Sequence, residues 1–143
     1  MFVGNHEHTI DDKGRLILPS SFRARLAEGA YVTTLDHCLA IVPTEEFSRM
    51  ADRLDDEVSE GLVDVNAVRA FFSQADFVTP DSQGRIRLLP HLRELVGLDR
   101  AVIVTGYNRR IEVWDPEQFS DRTAVGAESL ADAITRGRGV GRA

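Results

Sequence analysis

The sequence predicts an α+β fold built from two tandem copies of one small unit, each a strand, a turn, a strand, a short helix, a hairpin and a closing helix. Three observations predict it. Asp11-Asp12-Lys13-Gly14-Arg15 returns as Asp81-Ser82-Gln83-Gly84-Arg85, with Asp, Gly and Arg in the same order and spacing. The surrounding chain repeats as well: Phe2 lies over Phe72 and Thr9 over Thr79, while Thr33, Glu45 and Phe47 meet Thr105, Glu117 and Phe119. Each copy runs to only about 45–50 residues, too few to enclose much core alone, so two copies must pack together.

The elements of the first copy follow in order. A short strand enters the turn at Asp11, and Arg15-Leu16-Ile17-Leu18 leaves it as a second strand. Pro19 opens a short helix, since a proline's missing N–H costs nothing in a first helical turn. Residues 30–35 and 39–42 are β-rich runs separated by a loop of hairpin length, Asp36-His37-Cys38. Thr44 is placed to cap a closing helix on which Phe47, Met50, Leu54 and Val58 recur at helical spacing.

A further helix, roughly Asp64 to Phe72, joins the copies, with Val65, Val68 and Phe72 on one side. In the second copy a strand from Arg85 leads to a helix opened by Pro90, and a hairpin of residues 101–106 and 110–114 follows. Asp115-Pro116-Glu117 then combines a capping acid, a first-turn proline and a first-turn acid. The chain thus divides into a first module with its closing helix (1–60), a connecting helix (61–72), a second module with its closing helix (73–135) and a basic tail (136–143). That tail carries Arg136, Arg138 and Arg142 among glycines, the composition of a disordered end.

Composition narrows the function classes. The chain has 143 residues, 43% of them hydrophobic and 28% charged, which suits one globular domain. No window approaches the ~18 consecutive apolar residues of a membrane span, so no membrane association is expected. The stretch from Met1 to Asp12 has neither the basic start nor the apolar core of a secretory signal. A single cysteine, Cys38, excludes an intrachain disulfide and suits a reducing cytoplasm. The net charge is -6, but eight acids and two arginines between residues 45 and 64 account for it. The rest of the chain is neutral overall, so a local cationic face remains open to an anionic partner.

Asp at the first position and Gly at the fourth are the signature of a type I turn followed by a bulge glycine. The Asp carboxylate closes such a turn by accepting backbone N–H groups two or three residues on. Asp11, Gly14, Asp81 and Gly84 therefore have a sufficient architectural explanation. The arginines do not, because nothing in the turn needs one. Strand alternation sends Leu16, Leu18, Ile86 and Leu88 inward and Arg15, Arg85 and Arg87 outward. Pairing of Arg15 with Asp11 would orient the guanidinium without preventing contact with a ligand. Two such cations on one body, with Lys13 beside the first, suit a repeating anion such as the phosphates and guanine edges of double-stranded DNA.

With Asp-x-x-x-Arg doubled about 70 residues apart, in the phrases DDKGRLILP and DSQGRIRLLP, the chain resembles the MraZ family of bacterial transcriptional regulators. The resemblance covers residues 1–135. It implies tandem swapped-hairpin β-barrel modules of the SpoVT/AbrB type with flanking helices. It also implies a ring-shaped homo-oligomer that binds short direct repeats in DNA at the promoter of the division and cell-wall gene cluster, including its own gene. By motif position Arg15 and Arg85 are the DNA-contacting arginines, assisted by Lys13 and Arg87. Gln83 stands where the first copy has Lys13, so the two copies are expected to contribute unequally. Such a protein is cytoplasmic, associated with the nucleoid, needs no cofactor and is not an enzyme.

Other constellations are weaker. His6 and His8 share one strand face, but the sequence places neither Cys38 nor His91 beside them as the further ligands that a zinc site needs. Asp36, His37 and Cys38 offer an acid, a base and a thiol, yet neighbours in a tight loop rarely converge as catalytic groups do. No phosphate-binding Gly-rich loop or dinucleotide fingerprint is present. Trp114, at a strand end, reads as packing. Related swapped-hairpin modules also occur in antitoxins, usually as one module followed by a disordered toxin-binding tail; two modules without such a tail fit that alternative less well.

Overall fold

In the computed structural model, which describes residues 1–137, strands of each sequence copy pair with strands of the other. The first copy supplies β1 (Asn5–Thr9), β2 (Arg15–Ile17), α1 (Ser20–Arg23) with a 3-10 turn at Ala24–Leu26, β3 (Ala30–Leu35), β4 (Cys38–Pro43) and α2 (Thr44–Ser59). After the connecting α3 (Val65–Gln74) come β5 (Asp76–Val78), β6 (Arg85–Arg87), α4 (Pro90–Leu95), β7 (Ala101–Tyr107), β8 (Arg110–Trp114) and α5 (Pro116–Thr135). The fold is mixed α+β, and its strand pairs are antiparallel.

The strands form a six-stranded sheet in the order β1-β7-β8-β4-β3-β5 and a separate ribbon of β2 and β6. Hairpins β3–β4 and β7–β8 sit side by side through β4 and β8, with Ile41 opposite Ile111. On one flank β1 of the first copy lies on β7 of the second, Asn5 opposite Thr105. On the other flank β5 of the second copy lies on β3 of the first, Ala30 opposite Val78.

The expected barrel is absent: among the described residues the sheet stays open, ending at β1 and β5. β5 has only three residues, and Pro80 follows with no N–H to extend a ladder.

Burial explains the strand sequences. Leu39 and Ile41 of β4 face one side and Cys38, Ala40 and Val42 the other, and all five are buried. A strand covered on both faces reads as an uninterrupted apolar run, as this one does. On the inner face Val32, Leu39, Ile41, Val102, Val104, Ile111 and Val113 meet Leu16, Leu18, Phe22, Leu26, Ile86, Leu88 and Leu92 from the ribbon and short helices. Each such aliphatic side chain contributes about 1.5–3 kcal/mol on burial. On the outer face α2 and α3 lay Phe47 over Tyr31, with ring centroids 4.3 Å apart, and Phe71 beside it. The first turn of α5 sets Phe119 against Cys38, Ile103 and Trp114.

Two local expectations change. Thr44 is the first residue of α2 rather than its cap; Pro43, in extended conformation, precedes the helix, and no side chain caps it. The last residue of β4, Pro43, takes the cap position, and a proline side chain has no acceptor to offer. By contrast Asp64 accepts from the Asn66 N–H at 3.0 Å, and Asp115 from that of Gln118 at 3.1 Å. The hairpin loops also tighten to two residues, because Asp36 (φ 58°) and Asn108 (φ 59°) take the left-handed conformation that short polar side chains tolerate.

No helix among the described residues is long and apolar enough to cross a membrane. Arg138 and Arg142 of the basic tail lie outside the described residues.

Candidate nucleic-acid interface

Both turns close in the same way. The Asp11 carboxylate accepts from the backbone N–H of Lys13 at 2.9 Å and of Arg15 at 2.8 Å, while its second oxygen accepts from Arg15 Nε at 2.7 Å. Asp81 repeats this with Gln83 and Arg85, its Arg85 Nε contact being 2.8 Å. The backbone N–H of Gly14 donates to the Asp11 carbonyl at 3.0 Å, and that of Gly84 to Asp81 at 2.9 Å. Both glycines sit at φ 78°, a conformation that costs an L side chain strain.

The backbone N–H of the arginine, first of all, holds each Asp carboxyl below its ordinary value, with the Arg side chain and the N–H of residue 13 or 83 adding to it. The carboxylates are therefore ionised at neutral pH. Each grips its arginine by Nε. The terminal guanidinium nitrogens, the pair that addresses two acceptors side by side, take no part in the grip.

The ribbon brings the two turns together. Leu16 pairs with Ile86 across the ladder, and both face the core; Arg15 pairs with Arg87, and Ile17 with Arg85, on the outward face. Like charges directly opposite destabilise a sheet pair, so the Arg15–Arg87 rung does not serve the fold. An open groove of about 560 Å³ runs over this surface, lined by Lys13, Arg15, Thr79, Asp81, Arg85, Ile86 and Arg87. All four cations singled out in the sequence thus share one surface.

Sequence reasoning missed two more. Arg23, at the end of α1, donates from Nη1 to the Gln83 carbonyl at 2.9 Å. Arg93, in α4, donates from Nε to the Leu88 carbonyl at 3.1 Å. A signal was available: Phe22-Arg23 and Leu92-Arg93 fall at the same offset as Arg15 and Arg85.

The remaining groups are held elsewhere. Cys38 is buried, its thiol donates to the Leu35 carbonyl at 3.1 Å, and burial, with Glu112 second, pushes its pKa upward. His37 Nε2 stands 3.8 Å from Asp36 on the exposed loop. The His6 ring packs edge-on against Phe22, 6.4 Å from His8. Among the described residues no three His, Cys, Asp or Glu side chains gather as a metal site would require. Trp114 donates its Nε1–H to the buried Glu112 at 3.0 Å.

The family model described as "MraZ protein, putative antitoxin-like" matches residues 1–64 and 71–139 of the chain. A protein of Salinispora tropica named "Transcriptional regulator MraZ" is 40% identical over 133 residues, covering 92% of this chain and 94% of its own. Proteins of the same name from Salinispora arenicola and Kocuria rhizophila are 39% and 41% identical, covering 92% and 94% of this chain and 94% and 97% of their own.

Proposed function

From the premise that the chain belongs to the MraZ family, we propose that it is a sequence-specific DNA-binding transcriptional regulator that works by binding, without catalysis or a cofactor. The observation that carries this reading is the β2–β6 ribbon, with Lys13, Arg15, Arg85 and Arg87 on its outward side. A major groove is about 12 Å wide and admits a two-stranded ribbon. Arg15 and Arg85, each held at Nε by its own aspartate, offer their terminal nitrogens to the paired acceptors of guanine. Lys13 and Arg87 supply phosphate contacts beside them.

The reciprocal strand pairing supports reading residues 1–60 and 73–135 as interleaved swapped-hairpin modules of the SpoVT/AbrB type, joined through residues 61–72. A single chain offers few contacts. Affinity then comes from a ring-shaped homo-oligomer whose subunits engage neighbouring direct repeats at high effective concentration. The targets in this reading are the promoter of the division and cell-wall gene cluster, its own gene included, and the site of action is the nucleoid in the cytoplasm. Arg15→Ala is expected to keep the fold and to lose binding in a mobility-shift assay on the chain's own upstream region. An unchanged shift overturns the assignment.

The antitoxin-like description of the matching family supports a second reading, in which a protein partner binds as well as DNA. Co-purification of a stable toxin-like partner at fixed stoichiometry would favour it.

A further inference from the structure

Building on the DNA-binding reading above, we infer that Arg23 and Arg93 are positioning residues, Arg23 by a hydrogen bond to the second turn and Arg93 by packing against Gly14 of the first, so that Arg15 and Arg85 act as one reader of fixed span. Arg23 belongs to the first half, yet it bonds the Gln83 carbonyl in the second turn. Its side chain fills the space a Cβ on Gly84 would need. Arg93 belongs to the second half. Its Nη2 lies 3.3 Å from where a Cβ on Gly14 would stand, while its Nε holds the Leu88 carbonyl.

The backbone is crossed in the same sense: the Leu88 N–H donates to the Gly14 carbonyl at 2.8 Å, and the Leu18 N–H to Gly84 at 3.0 Å. Each glycine is thus needed for its conformation and also as the bare seat for a guanidinium from the other half. A flat, delocalised group fits such a seat, whereas a lysine ammonium on a flexible stem does not. The ribbon itself has only three residues on each side, so the two guanidinium seats add to these crossed backbone bonds in keeping the turns from swinging about it.

The test uses Arg23→Lys and Arg93→Lys, which keep the charge and remove the plane. In the free protein, backbone 15N relaxation should show Arg93→Lys loosening residues 11–15 and Arg23→Lys loosening residues 81–85, each in the opposite half. The same spectra report that the rest is folded. Affinity for the specific site should fall about tenfold or more, as loss of a well-placed bidentate contact implies. The salt dependence should keep its slope, since the number of neutralised phosphates is unchanged.

Turns that stay rigid in both variants overturn the proposal. So does full affinity despite loosened turns. If both lysine variants bind normally while Arg→Gln variants flatten the salt slope by about one unit, the two arginines are phosphate contacts instead. Arg15→Ala on the same DNA separates the two levels: if it binds normally, the DNA reading itself has failed.

Discussion

Asp11 and Asp81 each hold a turn closed and an arginine in place with one carboxylate, so the protonation of that group controls both. Because the folded carboxyl titrates below its ordinary value of 3.8, these bonds contribute fully above that value and are lost as pH falls through the lower, folded value. The Nε resonances of Arg15 and Arg85 should therefore stay constant from neutrality down to about pH 5 and shift only in stronger acid. A change centred near pH 6 would contradict the geometry. At this scale the sequence was informative where chemistry is local: turn rules identify the Asp and Gly, and strand alternation aims the Arg. Arg23 and Arg93 share the repeat offset, but what each meets, the Gln83 carbonyl for one and the Leu88 carbonyl beside Gly14 for the other, is set by packing that no local rule reaches. Thr44 misled because the helix begins one residue earlier than a Thr44 cap would allow, which puts Pro43, with no side-chain acceptor, at the cap position.

Among the elements, α5 stands apart. It runs twenty residues, yet none of them is buried, and Val125, Leu130 and Ile134 are 72%, 58% and 49% exposed. Only its first turn, with Phe119, joins the outer-face packing. The unpacked part beyond Thr123 is roughly a dozen residues, a length at which an isolated helix is marginal in water, and Gly126 costs it about 1 kcal/mol more. Amides beyond about residue 123 should thus exchange quickly in dilute, monomeric protein and slow on assembly, as hydrogen exchange across a concentration series would show. Equal protection at all concentrations would mean that the helix stands alone. α2 was legible from its periodic Phe47, Met50, Leu54 and Val58. The length of α5 was not, since weak periodicity beyond Phe119 sets no end.

In the whole molecule the two copies cannot part without leaving sheet edges bare, because β1 lies on β7 and β5 on β3. Unfolding should therefore be one calorimetric transition, and fragments 1–60 and 73–135 should each lack near-UV signal when made alone. Two resolved transitions would show independent halves. Leu16→Ala, at a fully buried rung shared by both copies, should cost about 2–5 kcal/mol by chemical denaturation. The repeat itself was visible in the sequence. An exchange of strands was implied only by the family resemblance, and the particular pairs, β1 on β7 and β5 on β3, were not legible, since alternation tells which face a residue takes and says nothing of which strand will lie beside it.

The ribbon has a near-twofold symmetry that its side chains break. In the repeat Lys13 corresponds to Gln83 and Ile17 to Arg87, so the outward surface is cationic in a different order when read from either end. A symmetric reader would accept a palindrome in both orientations. If the proposed DNA reading holds, this ribbon would have a head and a tail along the double helix, and copies of it arrayed around the proposed ring in one sense would match sites that all point the same way.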